Sequence, residues 1–314
     1  MPTEACNFRC TYCYEDFAHG RMDPGVVRGL KRYLERRAGE LDWLALSWFG
    51  GEPLLARDVV EEIMLHARHL VAAHPRLRLV SDLTTNGFHL GPRAFSRLLD
   101  VGVSCFQVSL DGLREVHDRT RRRAGGGGTF QRLWTHLLAM RAVERAFEVV
   151  VRLHVHGANS TTLPVFLQEF ARAFGGDRRF RLLFKEVAPL GGPADAAFPF
   201  LSPEARGSVL HDLRERALAL GVECVDVDPD GVCYAARGNA FVVRADGRLN
   251  KCTVALNHPA NDVGRLHEDG RLELVAASMH RWMRGLWSGN AAELSCPQRG
   301  LDAAASPVSL RARA

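Results

Sequence analysis

The sequence predicts an α/β fold: a parallel sheet rolled into a closed or partial barrel, with a smaller appendage on its carboxyl side. Three observations carry the prediction. Short apolar runs rich in β-branched and aromatic residues alternate with longer amphipathic stretches, the rhythm of βα units. Four of these runs carry a glycine or polar motif at or near their carboxyl ends, where barrels place their chemistry. Beyond about Gly191 the rhythm breaks into a Pro/Gly-rich stretch (Pro189, Gly191, Gly192, Pro193), in a chain whose 314 residues suit one large domain and one small one.

In chain order, strands are expected over Leu44–Phe49, Leu77–Thr84, Val103–Leu110, Phe147–His154 and Phe180–Val187, by length and composition. Helices are expected over Pro24–Arg37, Asp58–Ala73, Pro92–Leu99, Thr129–Arg145 and Leu163–Phe174. Pro24 and Pro92 stand at helix starts, where the missing N–H has no intrahelical partner to lose. Strands separated by helices imply right-handed parallel crossovers. Past the break come a helix over Pro203–Leu220, a strand over Val222–Val227 and a hairpin-like segment, Ala240–Cys252, turning at Asp246-Gly247. Only Met1–Ala5, barely a strand, precede the first cysteine, so the start of the chain is expected to lie upstream.

Composition narrows the function classes. At 46% hydrophobic and 25% charged residues the chain is an ordinary globular one, and no run of 18 apolar residues would span a membrane. A net charge of +5 is too mild to indicate nucleic-acid binding. The basic stretch Arg119, Arg121, Arg122 and Arg123, beside Gly125–Gly128, reads as a solvated loop. Of 8 cysteines, three crowd into Cys-Asn-Phe-Arg-Cys-Thr-Tyr-Cys: Cys6, Cys10 and Cys13. Their C-x3-C-x2-C spacing lets a short loop turn three thiolates onto one corner of an iron–sulfur cubane, leaving one iron open for a further ligand, where electron-transfer clusters take four cysteines. Two other readings stand beside it: a zinc knot of the three with His19, and disulfides. No charged-then-apolar leader precedes the cysteines, which points to a reducing cytoplasm.

With Tyr12 before its last cysteine, this run resembles the signature of the radical S-adenosylmethionine superfamily, and the strand ends extend the likeness. Gly50-Gly51-Glu52-Pro53 is similar to the family's GGE motif, Thr84-Thr85-Asn86-Gly87 to its TNG segment, and Ser109-Leu110-Asp111-Gly112 to its S-x-D-G. The resemblance covers roughly residues 3–190. It implies a partial (β/α)6 TIM-like barrel over 1–190 holding a 4Fe-4S cluster on Cys6, Cys10 and Cys13, with S-adenosylmethionine chelated at the open iron. Gly50, Gly51, Glu52 and Pro53 would receive its methionyl ammonium, and Thr85 and Asn86 would line the site. Ser109 and Asp111 would bond its ribose or carboxylate. Arg152, if it faces the barrel interior, would meet the carboxylate.

Beyond a linker helix and strand (191–228), residues 229–314 resemble the opening of a SPASM or twitch extension. Cys233 and Cys252 bracket Gly247 as C-x13-G-x4-C, and Cys296 follows, without the dense cysteine run of a full domain. The resemblance implies one auxiliary 4Fe-4S cluster on these three thiols, with Cys224 as a candidate fourth ligand. Cys105 reads as a core thiol. The tail Leu301–Ala314 resembles no packed element, so the chain is expected to be incomplete at this end too. The implied activity is formation of a 5′-deoxyadenosyl radical that takes hydrogen from a peptide or protein, as in maturation of ribosomal peptides, with flavodoxin or ferredoxin as electron donor. Two alternatives accompany it. Sulfatase-type formylglycine formation is weakened by Thr253 standing where those enzymes usually place an aspartate, and a degenerate, non-catalytic iron–sulfur protein is the other.

Overall fold

The computed structural model describes residues 1–225 and 231–301. The strands are β1 (Phe8–Cys10), β2 (Trp43–Trp48), β3 (Arg78–Thr85), β4 (Cys105–Leu110), β5 (Arg121–Arg123), β6 (Glu148–Val155), β7 (Phe180–Glu186), β8 (Val242–Val243), β9 (Arg248–Asn250), β10 (Gly264–Leu266) and β11 (Leu272–Leu274). The α-helices are α1 (Pro24–Ala38), α2 (Arg57–Ala73), α3 (Pro92–Asp100), α4 (Arg114–Thr120), α5 (Phe130–Arg141), α6 (Leu163–Phe174), α7 (Pro203–Ala219), α8 (Ala276–Trp282), α9 (Arg284–Ser288) and α10 (Ala291–Ser295). By contacts the chain divides into two compact units. The first holds residues 1–225, Arg244–Gly247 and Leu266–Arg271; the second holds residues 231–243, Arg248–Arg265 and 272–301.

In the first unit β2, β3, β4, β6 and β7 form one parallel sheet in that order. A sixth position follows: Cys224 bridges Leu182 in parallel, with Leu182 N–H donating to Glu223 O (2.9 Å) and Val225 N–H to Leu182 O (2.8 Å). The helix and strand expected as a linker therefore complete a partial (β/α)6 barrel, and Cys224 is a sheet thiol. The last two residues expected in that strand, Val227 included, and the tail beyond Leu301 lie outside the described residues.

Side-chain alternation gives the sheet two unlike faces. On β6, Val149, Val151, Leu153 and Val155 are fully buried, while Glu148, Arg152 and His154 point the other way and are only half-buried. Parallel strands covered by apolar layers on both sides read as continuous hydrophobic runs. Polar residues interrupting that run mark the second face as the lining of a site. The first face meets helices: Leu163, Phe166, Leu167, Phe170 and Phe174 form the apolar stripe of α6, and the Phe174 ring stacks on Phe180 of β7 at 4.6 Å. Each such ring contributes roughly 2–3 kcal/mol by burial.

Helix ends follow local chemistry. Asp23 caps α1, its carboxylate accepting from Gly25 N–H at 2.6 Å, with Pro24 in the first turn. The helix expected to run to Arg145 stops at Arg141 because the Arg179 guanidinium donates to the carbonyls of Arg141 (2.9 Å) and Val143, satisfying the terminal acceptors.

The second unit carries the β8–β11 sheet, with Trp282 fully buried and its indole N–H on Ala260 O at 2.8 Å. The expected turn lies at the tip joining β8 and β9, where Gly247 has φ +87° and its N–H meets Arg244 O at 3.0 Å. No helix among the described residues is long and apolar enough to cross a membrane.

Candidate active site

Cys6, Cys10 and Cys13 sit on a loop pinned by a two-stranded ribbon. β1 pairs antiparallel with β5, Phe8 opposite Arg123, Arg9 opposite Arg122 and Cys10 opposite Arg121. All three thiols are free and half-buried. Burial foremost, with the neighbouring thiolates adding, pushes Cys6 up to about 12 and Cys13 up to about 11; burial also raises Cys10, against the pull of Arg121. Thiols that raise one another in a dry place ionise together only around bound cationic charge. Among the described residues no three Cys, His, Asp or Glu groups converge on a point for a single ion. The spacing suits a polynuclear group whose metal atoms each take one thiolate, and the donor set fits a 4Fe-4S cluster. The zinc knot is not assembled: the His19 ring lies beside Asp246, at 3.7 Å.

The basic stretch that reads as a solvated loop is the other half of this ribbon, and Arg121 within it is buried. Its guanidinium donates to the Tyr12 hydroxyl (2.8 Å), which donates to both oxygens of Asp111 (2.8 and 3.0 Å). The His154 Nδ1 lies 3.3 Å from that hydroxyl and 3.4 Å from Asp111 Oδ1, and Thr120 donates to Asp111 Oδ2. Burial alone would raise Asp111; His154 and Arg121 outweigh it and hold the carboxyl well below the usual range. Asp111, expected on the ligand, thus clamps the cysteine loop to the end of β4 through Tyr12. Behind it, His117 accepts from Asp111 N–H (3.3 Å) at Nδ1. Its Nε2 lies 2.9 Å from Thr129 Oγ1, which itself donates to Arg121 O (2.8 Å).

Glu52 is fully buried and plays a similar part. Its carboxylate accepts from Thr85 Oγ1 (2.7 Å), Leu54 N–H (3.0 Å) and Asn86 N–H (2.7 Å), tying the loop after β2 to the end of β3. The Asn86 amide donates on to Asn7 Oδ1 at 2.8 Å, beside Cys6. The two glycines before Glu52 serve a close backbone approach. A Cβ on Gly50 (φ +147°) would lie 2.2 Å from Thr3 O, and one on Gly51 2.5 Å from both Glu4 O and Ala5 O. Pro53, also buried, opens the short 3-10 turn that follows.

Arg152 faces the lining side of the sheet, paired in register with Ser109. Its Nε is buried without a partner, and burial lowers the basicity of the guanidinium. A buried guanidinium N–H without an acceptor is what a ligand carboxylate would satisfy. Four residues on, just past the end of β6, His156 is fully buried with both ring nitrogens unpartnered, its ring 5.2 Å from that of Phe198. Phe198 also covers Tyr12 (5.5 Å), in a segment held by Gly157 N–H on Pro199 O (2.7 Å). Sequence reasoning missed Arg121, His117, His154 and His156. The last two were signalled by Arg-Leu-His-Val-His, polar at every second position of an apolar strand.

In the second unit Cys252 follows β9 and is braced by Asn261, whose Oδ1 accepts from Lys251 N–H (2.9 Å) and Cys252 N–H (3.0 Å) and whose amide donates to Cys252 O (2.8 Å). Burial raises the Cys252 thiol, two backbone N–H groups pull it down, and the nearby Cys233 and Cys296 add to the rise. Cys233 and Cys296 are thus near enough to act on the Cys252 thiol, although among the described residues no three such groups converge on a single metal position; Cys224 stays in the sheet and Cys105 lies on β4 of the first unit.

The sequence profile of the Radical SAM superfamily matches residues 1–172. The chain is similar to a probable GTP 3′,8-cyclase of Archaeoglobus fulgidus, 28% identical over 269 residues, 80% of this chain and 83% of the relative. It is also similar to the GTP 3′,8-cyclases of Paracoccus denitrificans (33% over 194 residues, 60% and 51%) and Klebsiella pneumoniae (30% over 219 residues, 67% and 59%). It spans about half to three-fifths of those two bacterial proteins. In fold it is similar to native anSMEcpe with bound AdoMet and the Kp18Cys peptide, at a TM-score of 0.67, 19% identity and coverage of 89% and 78%. It is likewise similar to Streptococcus suis SuiB bound to the precursor peptide SuiA, at 0.61, 12%, 94% and 68%.

Proposed function

Because the chain belongs to the radical SAM superfamily, we propose that it binds a 4Fe-4S cluster on Cys6, Cys10 and Cys13, holds S-adenosylmethionine beside it, and acts on a peptide or protein substrate. When bound, cluster and S-adenosylmethionine together supply hydrogen-atom abstraction by a 5′-deoxyadenosyl radical. The residues do the positioning. Tyr12, Asp111 and Arg121 fix the cysteine loop, and Glu52 with Thr85 and Asn86 fixes the adjoining strand ends. Arg152, with Ser109 beside it, receives the methionyl carboxylate. Phe198 covers Tyr12 and His156, keeping water from the buried polar groups beneath. The observation that carries this reading is the buried, unpartnered Nε of Arg152 on the lining face.

For the substrate, the charge of the lining face is the guide. Register places Arg152, Arg181 and Lys185 there with Asp82 and Glu148, and Arg181 is already bound to Glu148 at 2.9 Å. A face so close to balance suits a peptide segment better than a triphosphate. Two fold neighbours hold peptides, and Cys233, Cys252 and Cys296 are the ligands that the resemblance to a SPASM or twitch extension implies for an auxiliary cluster. A second reading, a purine nucleotide substrate, is favoured by the GTP 3′,8-cyclases among the relatives. The reconstituted chain, given dithionite and S-adenosylmethionine, is offered GTP or peptides encoded beside the gene. Peptide mass loss coupled to 5′-deoxyadenosine supports the first reading. A new nucleotide product replaces it with the second, and no 5′-deoxyadenosine with either removes both.

A further inference from the structure

On the proposed reading each turnover needs one electron from outside, and the molecule carries a charged surface next to the cysteine loop that its own fold does not use. Arg122 and Arg123 on β5 and Arg132 on α5 are exposed and, among the described residues, have no carboxylate partner. Arg123 and Arg132 both stand over one ring, that of Phe88, at 5.1 and 4.2 Å, which holds two cations together without neutralising them. Arg9, across the ribbon from Arg122, is exposed as well, its guanidinium donating to the carbonyls of Cys6 (2.8 Å) and Phe8 (2.7 Å) and standing over the Phe17 ring at 4.4 Å. The His89 ring lies 3.3 Å from the Asn7 amide, and partial burial, then the nearby Arg132, His136, Arg123 and Arg57, lower its affinity for a proton. Gly125, Gly126 and Gly127 at the ribbon tip have open space where a side chain would be, leaving the flank unobstructed.

Location sets the meaning of this charge. β5 is hydrogen-bonded to the strand that carries Cys10, about 5 Å away by the strand spacing. Phe88, beneath the two arginines, packs edge-on against Phe8 at 5.8 Å, midway between Cys6 and Cys10. An acidic molecule seated here lies one strand away from the segment that carries the thiolates. A nucleic acid is the poorer occupant: Phe88 is buried under its arginines and offers no face for a base to stack on.

We propose that the face formed by Arg122, Arg123 and Arg132 is the docking surface for an acidic one-electron carrier protein, which delivers its electron through the Phe8 side of the ribbon to the group held by Cys6, Cys10 and Cys13. The carrier is oxidised by one electron and the thiolate-held group is reduced by one; no bond is made or broken in the transfer. The inference rests on the proposed radical chemistry, and the test separates the two.

The cluster-loaded chain is assayed for 5′-deoxyadenosine with either dithionite or an acidic flavodoxin in its hydroquinone form. The variants are Arg122→Glu/Arg123→Glu/Arg132→Glu and the milder triple Gln. With dithionite, both variants should match wild type within about twofold. With flavodoxin the Glu variant should lose at least about tenfold and the Gln variant less. The wild-type flavodoxin rate should fall about tenfold from low to high salt while the dithionite rate stays level, as steering between opposite charges requires. A flavodoxin rate untouched in both variants, or insensitive to salt, overturns the docking surface. Preferential binding of an RNA or DNA duplex over flavodoxin, lost in the Glu variant, also overturns it. Should the Glu variant fail with dithionite, the Gln variant and the wild-type salt series decide. Absence of 5′-deoxyadenosine from wild type with dithionite refutes the radical chemistry itself.

Discussion

Replacing Arg152 with Met should strengthen the empty protein and weaken its grip on S-adenosylmethionine. The guanidinium Nε is buried with no acceptor, and a buried donor left unsatisfied costs about 1–3 kcal/mol. Methionine keeps most of the apolar stem and drops the charge, so the cluster-free chain is expected to gain about 1–2 kcal/mol in urea unfolding. With ligand bound, the lost partner is a charge-assisted bond to carboxylate worth about 1.5–3 kcal/mol, which raises Kd roughly 10- to 150-fold. Equilibrium dialysis of the cluster-loaded protein measures this. Decarboxylated S-adenosylmethionine is the internal control, because it lacks the group Arg152 is assigned to hold and should bind wild type and variant alike. A variant that is less stable, yet binds both compounds as wild type does, would show Arg152 to be a structural cation and refute the reasoning.

Tyr12→Phe removes the hydroxyl shared by Arg121 and Asp111. Two charge-assisted bonds go, so thermal unfolding should show a loss of about 2–4 kcal/mol, with poor iron uptake although all three cysteines remain; a loss under 0.5 kcal/mol would contradict the clamp. Burial, above all, pushes His117 down to about 4. The unfolded chain takes up this proton near pH 6.5, so the stability it contributes is fully present above about 6.5 and is lost, up to about 3 kcal/mol, as pH falls toward 4. His154, pushed down to about 4 chiefly by desolvation, adds in the same direction; unfolding curves superimposable at pH 7 and pH 5 would exclude this. Cys252→Ala should lower bound iron from about eight to about four per chain, whereas Cys105→Ser should leave it unchanged. Gly51→Ala, with a Cβ 2.5 Å from two carbonyl oxygens, should displace the segment before the cysteine loop and appear as protease sensitivity near residue 5.

The strands and most helices were legible because their patterns are local. β6 announces itself as Val149, Val151, Leu153 and Val155 set between Glu148, Arg152 and His154, and α6 as aromatic residues at helical spacing. The cysteine loop was legible because its spacing is chemistry in itself. What stayed hidden depends on pairing across long separations. Four arginines beside four glycines read as a solvated loop, and only the ladder between β1 and β5 turns Arg121 into a buried cation while leaving its neighbours exposed. Glu52 and Asp111 were legible as site residues, as were Thr85 and Asn86, with Tyr12 in the cysteine signature, but the pairing among them could not be read. A carboxylate at a strand tip looks the same in sequence whether it meets a ligand or, as here, Thr85 and Asn86 or Tyr12. The last turn of α5 was overestimated because the residue that ends it, Arg179, stands 38 positions later.

The chain's repeated passage between its two units bears on how such a gene can be recombined. Arg244–Gly247 and Leu266–Arg271 are hairpin tips whose flanks belong to the second unit and whose side chains and carbonyls work in the first. Arg244 closes a buried ion pair on Glu4, Ala245 O accepts from Asp23 N–H at 3.0 Å, and Glu268 meets Arg28 at 2.9 Å. A donor segment spliced in after residue 231 would bring foreign tips and strand Glu4 as an unpaired buried carboxylate, a lesion of about 3–5 kcal/mol. The carboxyl-terminal segment from residue 231 onward is therefore not an exchangeable cassette, and successful chimaeras will be those that carry a tip arginine to match Glu4.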